Sequence, residues 1–323
     1  MAKKISLAIL LVLSVVIGHF AARAQMTINS SLDLMERDVE DDLSTVDLEG
    51  IEVASDDEII NILLVGADKR ETWNEAGRSD SMMIATLDKK HKRLKLTSIM
   101  RDTYVTIPGY AEQNRINAAY SFGGVKLMYK TIAQNFGLKL DGYVVVDFAA
   151  FKKVINMLDG VDIELTEWEQ QYLVYAYRNT DYMSDIKVGK NTLSGKQALA
   201  YTRIRQDAQA DFGRTARQRK VLTSIFAEVK TMPMSKWVDM ATEILPCVAT
   251  DLTNDEVLDY MTSIITMGTT EIDQMRIPVD GSFTDETHRE MRVLVPDLEK
   301  NTNELHKFIF KYDGEKDNGQ NNN

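Results

Sequence analysis

The sequence is poor in the residues that staple folds and bind transition metals. Its 323 residues include one cysteine and four histidines. A single cysteine excludes an internal disulfide, and the apolar neighbours of Cys247 predict a buried, unreactive thiol. His19 lies in an apolar leader, and the other three histidines leave no plausible Ser-His-Asp triad or two-histidine metal pair. We therefore set those chemistries aside.

Two common catalytic motifs are also missing. Glycine-lysine pairs begin at Gly189 and Gly195, but neither is followed by serine or threonine. The chain therefore has no phosphate-binding loop of the nucleotide-hydrolase type. Ser184 and Lys187 match the spacing of the penicillin-binding nucleophile, but the partner motifs of that family are absent.

The chain has no excess of positive charge, and its formal net charge is −11. Residues 31–58 hold twelve acids and one base, Arg37, so this segment alone accounts for the −11. The acidic balance is therefore no argument about the substrate. We interpret residues 25–58 as a solvated acidic stalk, with a specific acidic docking site as the alternative.

An apolar leader predicts export. Lys3 and Lys4 precede an apolar run over residues 5–17, and an Ala-x-Ala pattern ends at Ala24. We interpret residues 1–24 as a signal or anchor segment and favour a single-pass membrane anchor with its N-terminus inside the cell. Cleavage after Ala24 would give a secreted protein instead. In both cases the bulk of the chain is extracytoplasmic, and its Gly- and Asn-rich end, residues 313–323, is predicted to be disordered.

Strand and helix patterns alternate between these ends and predict an α/β fold. Strands are predicted at residues 59–65, 82–87, 94–99, 143–146 and 161–165, and helices at 125–136, 148–158, 194–200 and 214–230. Further helices are predicted at 237–245, 254–267 and 298–310, and further strands at 272–277 and 291–295. Residues 167–185 are interpreted as a polar and aromatic excursion. Residues 231–312 show no cluster of catalytic residue types, so they either complete the sheet or form an accessory subdomain.

Arginines gather near residue 210. If residues 201–205 form a strand, Arg203 and Arg205 project from the same face. A helix starting at Gly213 would bring Arg214 and Arg217 close to them. Guanidinium groups clustered in this way suit a phosphate or pyrophosphate, which they bind through paired hydrogen bonds. The alternative is a solvated basic helix face.

Two aspartates occupy the ends of predicted strands. Asp68 follows the first strand and Asp80 precedes the second. In open α/β sheets, ligands bind at strand ends. Two carboxylates beside an anionic ligand would repel it unless a hard cation lies between them, which implies Mg²⁺.

Several short motifs follow one another in order. They are Gly-x-Asp-x-Arg (Asp68, Arg70), Arg-Ser-Asp (Asp80), Arg-Asp (Arg101, Asp102), Arg-Ile-Asn-x-Ala-Tyr from Arg115, Val-Asp-Phe (Phe148), Leu-Ala-Tyr-x-Arg-x-Arg (Arg203, Arg205) and Gly-Arg-x-x-Arg-Gln (Arg214, Gln218). Together, over residues 59–230, they resemble the LytR-CpsA-Psr family, glycan phosphotransferases of bacterial cell walls. One departure is Met100, where this family commonly has a proline that would fix the turn before Arg101.

The resemblance implies a fold and a set of site residues. The fold would be a three-layer α-β-α arrangement around a central mixed sheet, with residues 59–230 as the catalytic domain. Asp68 and Asp80 would hold Mg²⁺. The pyrophosphate of a polyprenyl-linked glycan would be bound by Arg70, Arg101, Arg115, Arg203, Arg205, Arg214 and Gln218. Arg101, Arg203 and Arg205 would also take part in catalysis, as would Asp102, which from its position is either the general base or a group that orients Arg101.

The implied reaction is the transfer of a glycan-1-phosphate from a polyprenyl-pyrophosphate carrier to a hydroxyl of peptidoglycan. The lipid would need an apolar channel, and candidates for lining it are Phe136, Val154, Ile155, Leu158 and Phe226. Two alternatives are a pyrophosphatase that uses water as the acceptor and a non-enzymatic protein that binds wall glycan or the lipid carrier. No nucleic acid is expected as a partner, because an exported domain without helix-turn-helix spacing does not meet DNA.

Overall fold

The computed structural model describes residues 29–30, 32–37, 41–67, 79–207, 209–232, 234–269 and 271–311. The leader at residues 1–24 and the tail at 313–323 lie outside these ranges, so the expectations for both stay predictions. Within the ranges, no helix combines the length and apolarity needed to cross a bilayer.

The described residues form twelve strands and eight α-helices. The strands are β1 Ile59–Ala67, β2 Ser79–Asp88, β3 Arg93–Ile99, β4 Tyr104–Val105, β5 Asn114–Arg115, β6 Gly142–Asp147, β7 Val161–Leu165, β8 Gly189–Leu193, β9 Val248–Thr250, β10 Ile272–Ile277, β11 Phe283–His288 and β12 Met291–Pro296. The helices are α1 Asn117–Phe136, α2 Phe148–Met157, α3 Glu167–Ala176, α4 Gly195–Tyr201, α5 Ala210–Thr231, α6 Met234–Ile244, α7 Asn254–Met267 and α8 Leu298–Phe310.

A six-stranded sheet lies at the centre, in the order β10-β3-β2-β1-β6-β9. β1 pairs antiparallel with β2 and parallel with β6, while β3 pairs antiparallel with β2 and parallel with β10. β9 pairs antiparallel with β6. The predicted α/β fold with a mixed central sheet is therefore confirmed.

Each face of the sheet carries helices, because successive strand side chains point to opposite sides. On one side Leu63 and Ile84 are buried with Phe136 of α1 and Leu305 of α8. On the other side the neighbours Leu64 and Met83 face α2 and α5 across an apolar cavity. One face of the sheet therefore packs against a filled apolar core, and the other face borders the apolar cavity.

Helix α3 was not predicted. It occupies part of the expected excursion and begins with a capping box, in which the Thr166 side chain accepts from the Glu169 N–H and the Glu169 carboxylate accepts from the Thr166 N–H. Its inner residue Leu173 joins a second apolar cluster with Leu193 of β8 and Val221 of α5. The Thr-x-x-Glu signal for the start of this helix was present in the sequence.

The acidic segment differs from the solvated stalk expected for it. From residue 41 onward it runs along the domain: Leu43 is buried, and Ala54 forms an isolated bridge with Leu138. The apolar residues between its acids pack on the central core, namely Val46, Leu48, Ile51 and Val53. Packing these apolar side chains on the core removes them from water, which explains why the described part of the segment lies against the domain.

The C-terminal region completes the sheet, which was one of the two expectations for it. β9 and β10 are the two edge strands, and α8 covers the core beside α1. The expected burial of Cys247 is wrong, since the thiol is exposed in the turn between α6 and β9.

Candidate active site

Four arginines converge on two carboxylates at one end of the sheet. The arginines are Arg101 after β3, Arg115 on β5, Arg205 before α5 and Arg214 on α5, and the carboxylates are Asp102 and Asp211. We call these six residues the arginine-carboxylate cluster. Four cations and two anions leave a formal charge of +2, so the cluster as a whole favours an anionic ligand.

Asp211 is the centre of the cluster. Its Oδ2 lies 3.3 Å from Arg101 Nη2, and its Oδ1 lies 3.3 Å from both Arg205 Nε and Arg214 Nη1. Asp211 stands in the first turn of the 22-residue helix α5, where the aligned peptide dipoles add further positive potential. One carboxylate therefore holds three guanidinium groups at the start of a long helix.

Asp102 joins two of the arginines from the other side. Its Oδ2 lies 3.5 Å from Arg101 Nε, and its Oδ1 lies 3.2 Å from Arg115 Nε. Burial raises the pKa of Asp102, the Asp211 carboxyl raises it further, and the charges of Arg101 and Arg115 oppose the rise without cancelling it. Asp102 therefore accepts a proton more readily than an ordinary aspartate does.

The β11–β12 hairpin holds this part of the cluster in place. Leu294 N–H donates to the Asp102 carbonyl at 2.9 Å. Arg115 donates through Nε and Nη2 to the Arg292 carbonyl, at 3.1 and 2.6 Å. Next to the cluster, Phe212 stacks on Phe283 with ring centroids 5.6 Å apart. The C-terminal hairpin, which has no cluster of catalytic residue types of its own, thus positions Asp102 and Arg115.

An apolar cavity lies next to the cluster, along the same face of α5. Asp211, Arg214, Gln218, Leu222 and Ile225 follow one another at intervals of three and four residues, which places them on one side of the helix. The last three line a cavity of about 230 Å³ between α5, α2 and the sheet. A second cavity of about 250 Å³ shares Leu222 and the strand residue Leu64 with the first.

Two of the five residues expected to line an apolar channel do so. Val154 lines the first cavity and Phe226 the second. The expectation is wrong for Phe136 and Ile155, which are fully buried in the two apolar cores, and Leu158 packs against the second of these cores. Periodicity identified apolar helix faces, but it did not distinguish a face against the core from a face against open space.

Arg203 lies apart from the cluster, at the cavity. Its guanidinium carbon is 4.3 Å from the ring centroid of Phe148, which lines the cavity. The predicted strand over residues 201–205 is wrong, because α4 continues to Tyr201 and the following residues pair with no strand. Gln218 projects into the cavity, and its buried Oε1 has no hydrogen-bond partner among the described residues.

Arg217 is a structural residue. Its Nε donates to Glu169 Oε1 at 2.8 Å, its Nη1 to the Ile204 carbonyl at 3.3 Å and its Nη2 to Asp207. A Cβ on Gly213 would stand 2.8 Å from Asp207 Oδ2, so only glycine allows this close approach. Arg217 therefore ties α5 to α3 and to the segment before α5.

Asp68 and Arg70 lie outside the described residues, and so does the side chain of Asp80. The backbone register pairs Gly66 with Ser81 and then Ala67 with Ser79, so Asp80 is the extra residue of a β-bulge at the end of β1. Gly66 and Ser81 line the apolar cavity. Among the described side chains, no group of three or more histidines, cysteines or acids could hold a metal ion.

Asp211 was missed as a site residue by sequence reasoning. It stands three residues before Arg214, one helical turn away, and an acid at this spacing from an arginine was a signal for an organising carboxylate. The assignment depended on α5 starting at Ala210, three residues before the helix start that the glycine suggested.

Both the sequence and the fold of this chain match known proteins. The model of the LytR_cpsA_psr family matches residues 21–307, and the chain belongs to this family. It is 33% identical over 265 residues to the protein named polyisoprenyl-teichoic acid–peptidoglycan teichoic acid transferase TagU of Bacillus cereus, covering 80% of this chain and 83% of that protein.

Solved structures are similar as well. The crystal structure of TagV from B. subtilis superposes with a TM-score of 0.63 at 30% identity, covering 79% of this chain and 98% of that one. A structure of TagT bound to LI-WTA has a TM-score of 0.63 at 25% identity and covers 79% and 93% of the two chains.

Proposed function

We propose that this protein transfers a glycan-1-phosphate from a polyprenyl-pyrophosphate carrier to a peptidoglycan hydroxyl. The observation that carries the proposal is the +2 cluster beside an apolar cavity on the same helix face. A lipid-linked pyrophosphate has the same two parts, an anionic head and an apolar tail. The relatives named as teichoic acid transferases support the proposal.

The cluster residues would act mainly by binding and by charge stabilisation. Arg101, Arg205 and Arg214 would bind the pyrophosphate oxygens as negative charge builds up during transfer, a stabilisation typically worth several kcal/mol. Arg115, held by the Arg292 carbonyl, would bind from the opposite side. Arg203 lies over Phe148 at the cavity, where it would contact the phosphate nearer the lipid.

Asp102 is the proposed general base. A carboxylate whose pKa is raised by burial is a better proton acceptor near neutral pH than an ordinary one. It would take the proton of the attacking hydroxyl while the arginines hold the phosphoryl group. The competing role is the orientation of Arg101 and Arg115, both of which it contacts.

The proposed metal is Mg²⁺, held by Asp68 and Asp80. The residues fit, because carboxylate oxygens are its usual ligands and the neighbouring Ser79 Oγ is buried without a hydrogen-bond partner among the described residues. When bound, Mg²⁺ would neutralise charge on the phosphoryl oxygens. The proposed location of the domain is outside the cell membrane, with the leader as its anchor.

The test uses the full chain, Mg²⁺ and a lipid-pyrophosphate-linked sugar labelled on the glycan-side phosphate. Without an acceptor we expect little release. With peptidoglycan fragments we expect the label in an adduct, together with polyprenyl monophosphate, and loss of turnover in excess chelator or in Asp68→Ala and Asp80→Ala.

Three outcomes would contradict the proposal. Rapid hydrolysis unaffected by the acceptor would indicate a pyrophosphatase, and tight binding without turnover would indicate a carrier protein. Full activity in excess chelator would remove Mg²⁺ from the mechanism.

A further inference from the structure

An aromatic stripe on helix α3 is exposed at both ends, while its middle residue, Tyr172, is partly buried against the second apolar cluster. Trp168, Tyr172 and Tyr175 stand at positions i, i+4 and i+7, so they share one side of the helix. Such a stripe usually packs into a core, but here Trp168 is 40% exposed and Tyr175 is 68% exposed. The rings of Trp168 and Tyr172 are nearly parallel, at 10° and with centroids 5.3 Å apart. We call these three residues the aromatic stripe.

Helix α3 is joined to α5, the helix that carries part of the arginine-carboxylate cluster. Glu169, on the inner side of the same helix, accepts from Arg217 of α5, three residues after the cluster residue Arg214. Tyr177 lies at the end of the helix, and burial raises its pKa, with Tyr182 and Tyr172 raising it further and Arg203 lowering it. Tyr172, Tyr177 and Tyr182 all pack against the second apolar cluster, so the stripe and the ring of Tyr182 border the same core.

A polar cavity lies at the other side of Tyr177. The ring of Tyr182 is 6.0 Å from that of Tyr177 and lines a cavity of about 530 Å³. The other lining groups are hydroxyls, carboxylates and amides, including Ser184, Asp185, Thr192 and Gln197. Exposed flat rings beside a cleft of donors and acceptors are what sugar rings require, since they have apolar faces and hydroxyl edges.

The charge of this region selects among glycans. Residues 167–185 contain four acids and one arginine. Glu169 is paired with Arg217, so Glu167, Asp181 and Asp185 remain as exposed acids. Two cations stand nearby: Arg178, over the ring of Tyr175, and Lys196, whose Nζ lies 5.7 Å from the centroid of the Tyr182 ring. Three acids and two cations leave a small excess of negative charge, which favours an uncharged chain of N-acetylated amino sugars over an anionic wall polymer.

We propose that the aromatic stripe and the polar cavity beside it bind the uncharged glycan strand of the peptidoglycan acceptor. This inference rests on the proposed function, since it assigns that reaction its acceptor subsite. The strand would lie along α3 and present a hydroxyl to the anionic donor, which occupies the arginine-carboxylate cluster.

The test measures binding of soluble N-acetylglucosamine oligomers to the full chain by calorimetry, without donor or Mg²⁺. Trp168→Ala and Tyr175→Ala should together weaken binding about tenfold, because each removes one stacking ring. Two matched controls should bind as the unsubstituted chain does. Val174→Ala changes an exposed residue of α3 off the stripe, and Tyr110→Ala removes an exposed ring that stacks on Phe122 elsewhere in the fold.

Kinetics give a second readout. In the transfer assay the stripe variants should raise KM for the acceptor and leave donor affinity and kcat unchanged, which a loss of folding would not do. Tyr175→Ala alone is informative if Trp168→Ala folds poorly, because Tyr175 is the most exposed of the three.

Unchanged oligomer affinity in both stripe variants, or no binding by the unsubstituted chain, would overturn the inference. So would a poly(glycerol phosphate) oligomer that binds and loses affinity in the same variants, since the occupant would then be an anionic polymer. Glycan binding at the stripe without any transfer would contradict the proposed reaction and still support this surface.

Discussion

Arg214 and Arg217 are one turn apart on α5, and both are buried, yet their surroundings differ. Arg217 donates through all three guanidinium nitrogens, to Glu169, to the Ile204 carbonyl and to Asp207. Arg214 is only 3% exposed, but its Nε and Nη1 make no hydrogen bond to any described group, and its contact to Asp211 is an ion pair at 3.3 Å.

A buried cation without full hydrogen bonding is costly to a folded protein. Arg217 shows that the chain can satisfy a buried arginine where stability requires it. The unmet donors of Arg214 are therefore best explained by a ligand that supplies the acceptors. The same helix thus carries one arginine whose donors are satisfied within the fold and one that we propose binds the substrate.

The largest expected effect is the loss of turnover when Asp102, the proposed general base, is replaced. Asp102→Asn should lower turnover by about 10²- to 10⁴-fold, the usual contribution of a general base. The unsubstituted enzyme should lose activity as pH falls through the pKa of Asp102, because only the ionised carboxylate accepts a proton. Burial raises that pKa above the ordinary 3.8, so the loss begins at a higher pH than for an exposed aspartate.

Measuring kcat against pH for both proteins checks this prediction. A variant that keeps the acidic fall in kcat, and loses only donor affinity, would show that Asp102 orients its two arginines instead.

The next largest effect is on stability, where the two buried arginines of α5 should differ. Arg217→Ala leaves Glu169 and Asp207 without their buried partner, which should lower the free energy of unfolding by about 3–5 kcal/mol. Arg214→Ala removes a buried cation with unmet donors and should leave stability unchanged or raise it. Denaturant unfolding of the two variants compares them directly, and equal losses would abolish the distinction between the two arginines.

Sequence reasoning found the arginines but could not assign them to these two roles. Arg203, Arg205, Arg214 and Arg217 were recognised together, because spacing reveals proximity. Arg217 has its hydrogen-bond donors satisfied partly by Glu169, which is 48 residues away in the sequence. Glu169 stands on α3, a helix that was not predicted. Long-range partners of this kind leave no local pattern.

The fold was easier to predict. Apolar and β-branched runs predicted five strands of the central sheet, because these strands bury side chains on at least one face. The strand expected at Arg203 and Arg205 is wrong, because this segment has no neighbouring strand to pair with. The hairpin β11–β12 was seen only as its second strand, because β11 is rich in polar residues.

A smaller effect separates the arginines proposed to bind the donor from an arginine elsewhere on the protein. Arg205→Ala and Arg214→Ala should each weaken binding of a pyrophosphate-linked lipid by about 1.5–3 kcal/mol, the worth of a hydrogen bond to a charged group. Arg289→Ala is the control, since this arginine pairs with Glu112 at the hairpin turn. Arg219 is unsuitable as a control, because it donates to Ser98 of β3 at 2.8 Å and so supports the fold. Equal losses at Arg205, Arg214 and Arg289 in a lipid-binding assay would indicate a diffuse basic surface.

The smallest effect is the pH dependence of the Arg217 pair. Burial alone would raise the pKa of Glu169, but hydrogen bonds from the Thr166 N–H and from Arg217 lower it below its ordinary 4.5. A carboxylate with a lowered folded-state pKa stabilises the fold above its unfolded pKa, and this contribution is lost as pH falls through the folded pKa. Glu169→Gln should therefore be less stable than the unsubstituted protein at neutral pH, and the gap should shrink below pH 4.5. Glu167→Gln, an exposed change on the same helix, is the matched control and should leave stability nearly unchanged. Unfolding curves recorded across this range decide the matter: a gap that stays constant on acidification would mean that Glu169 stabilises α3 as a cap alone, without its charge acting on Arg217.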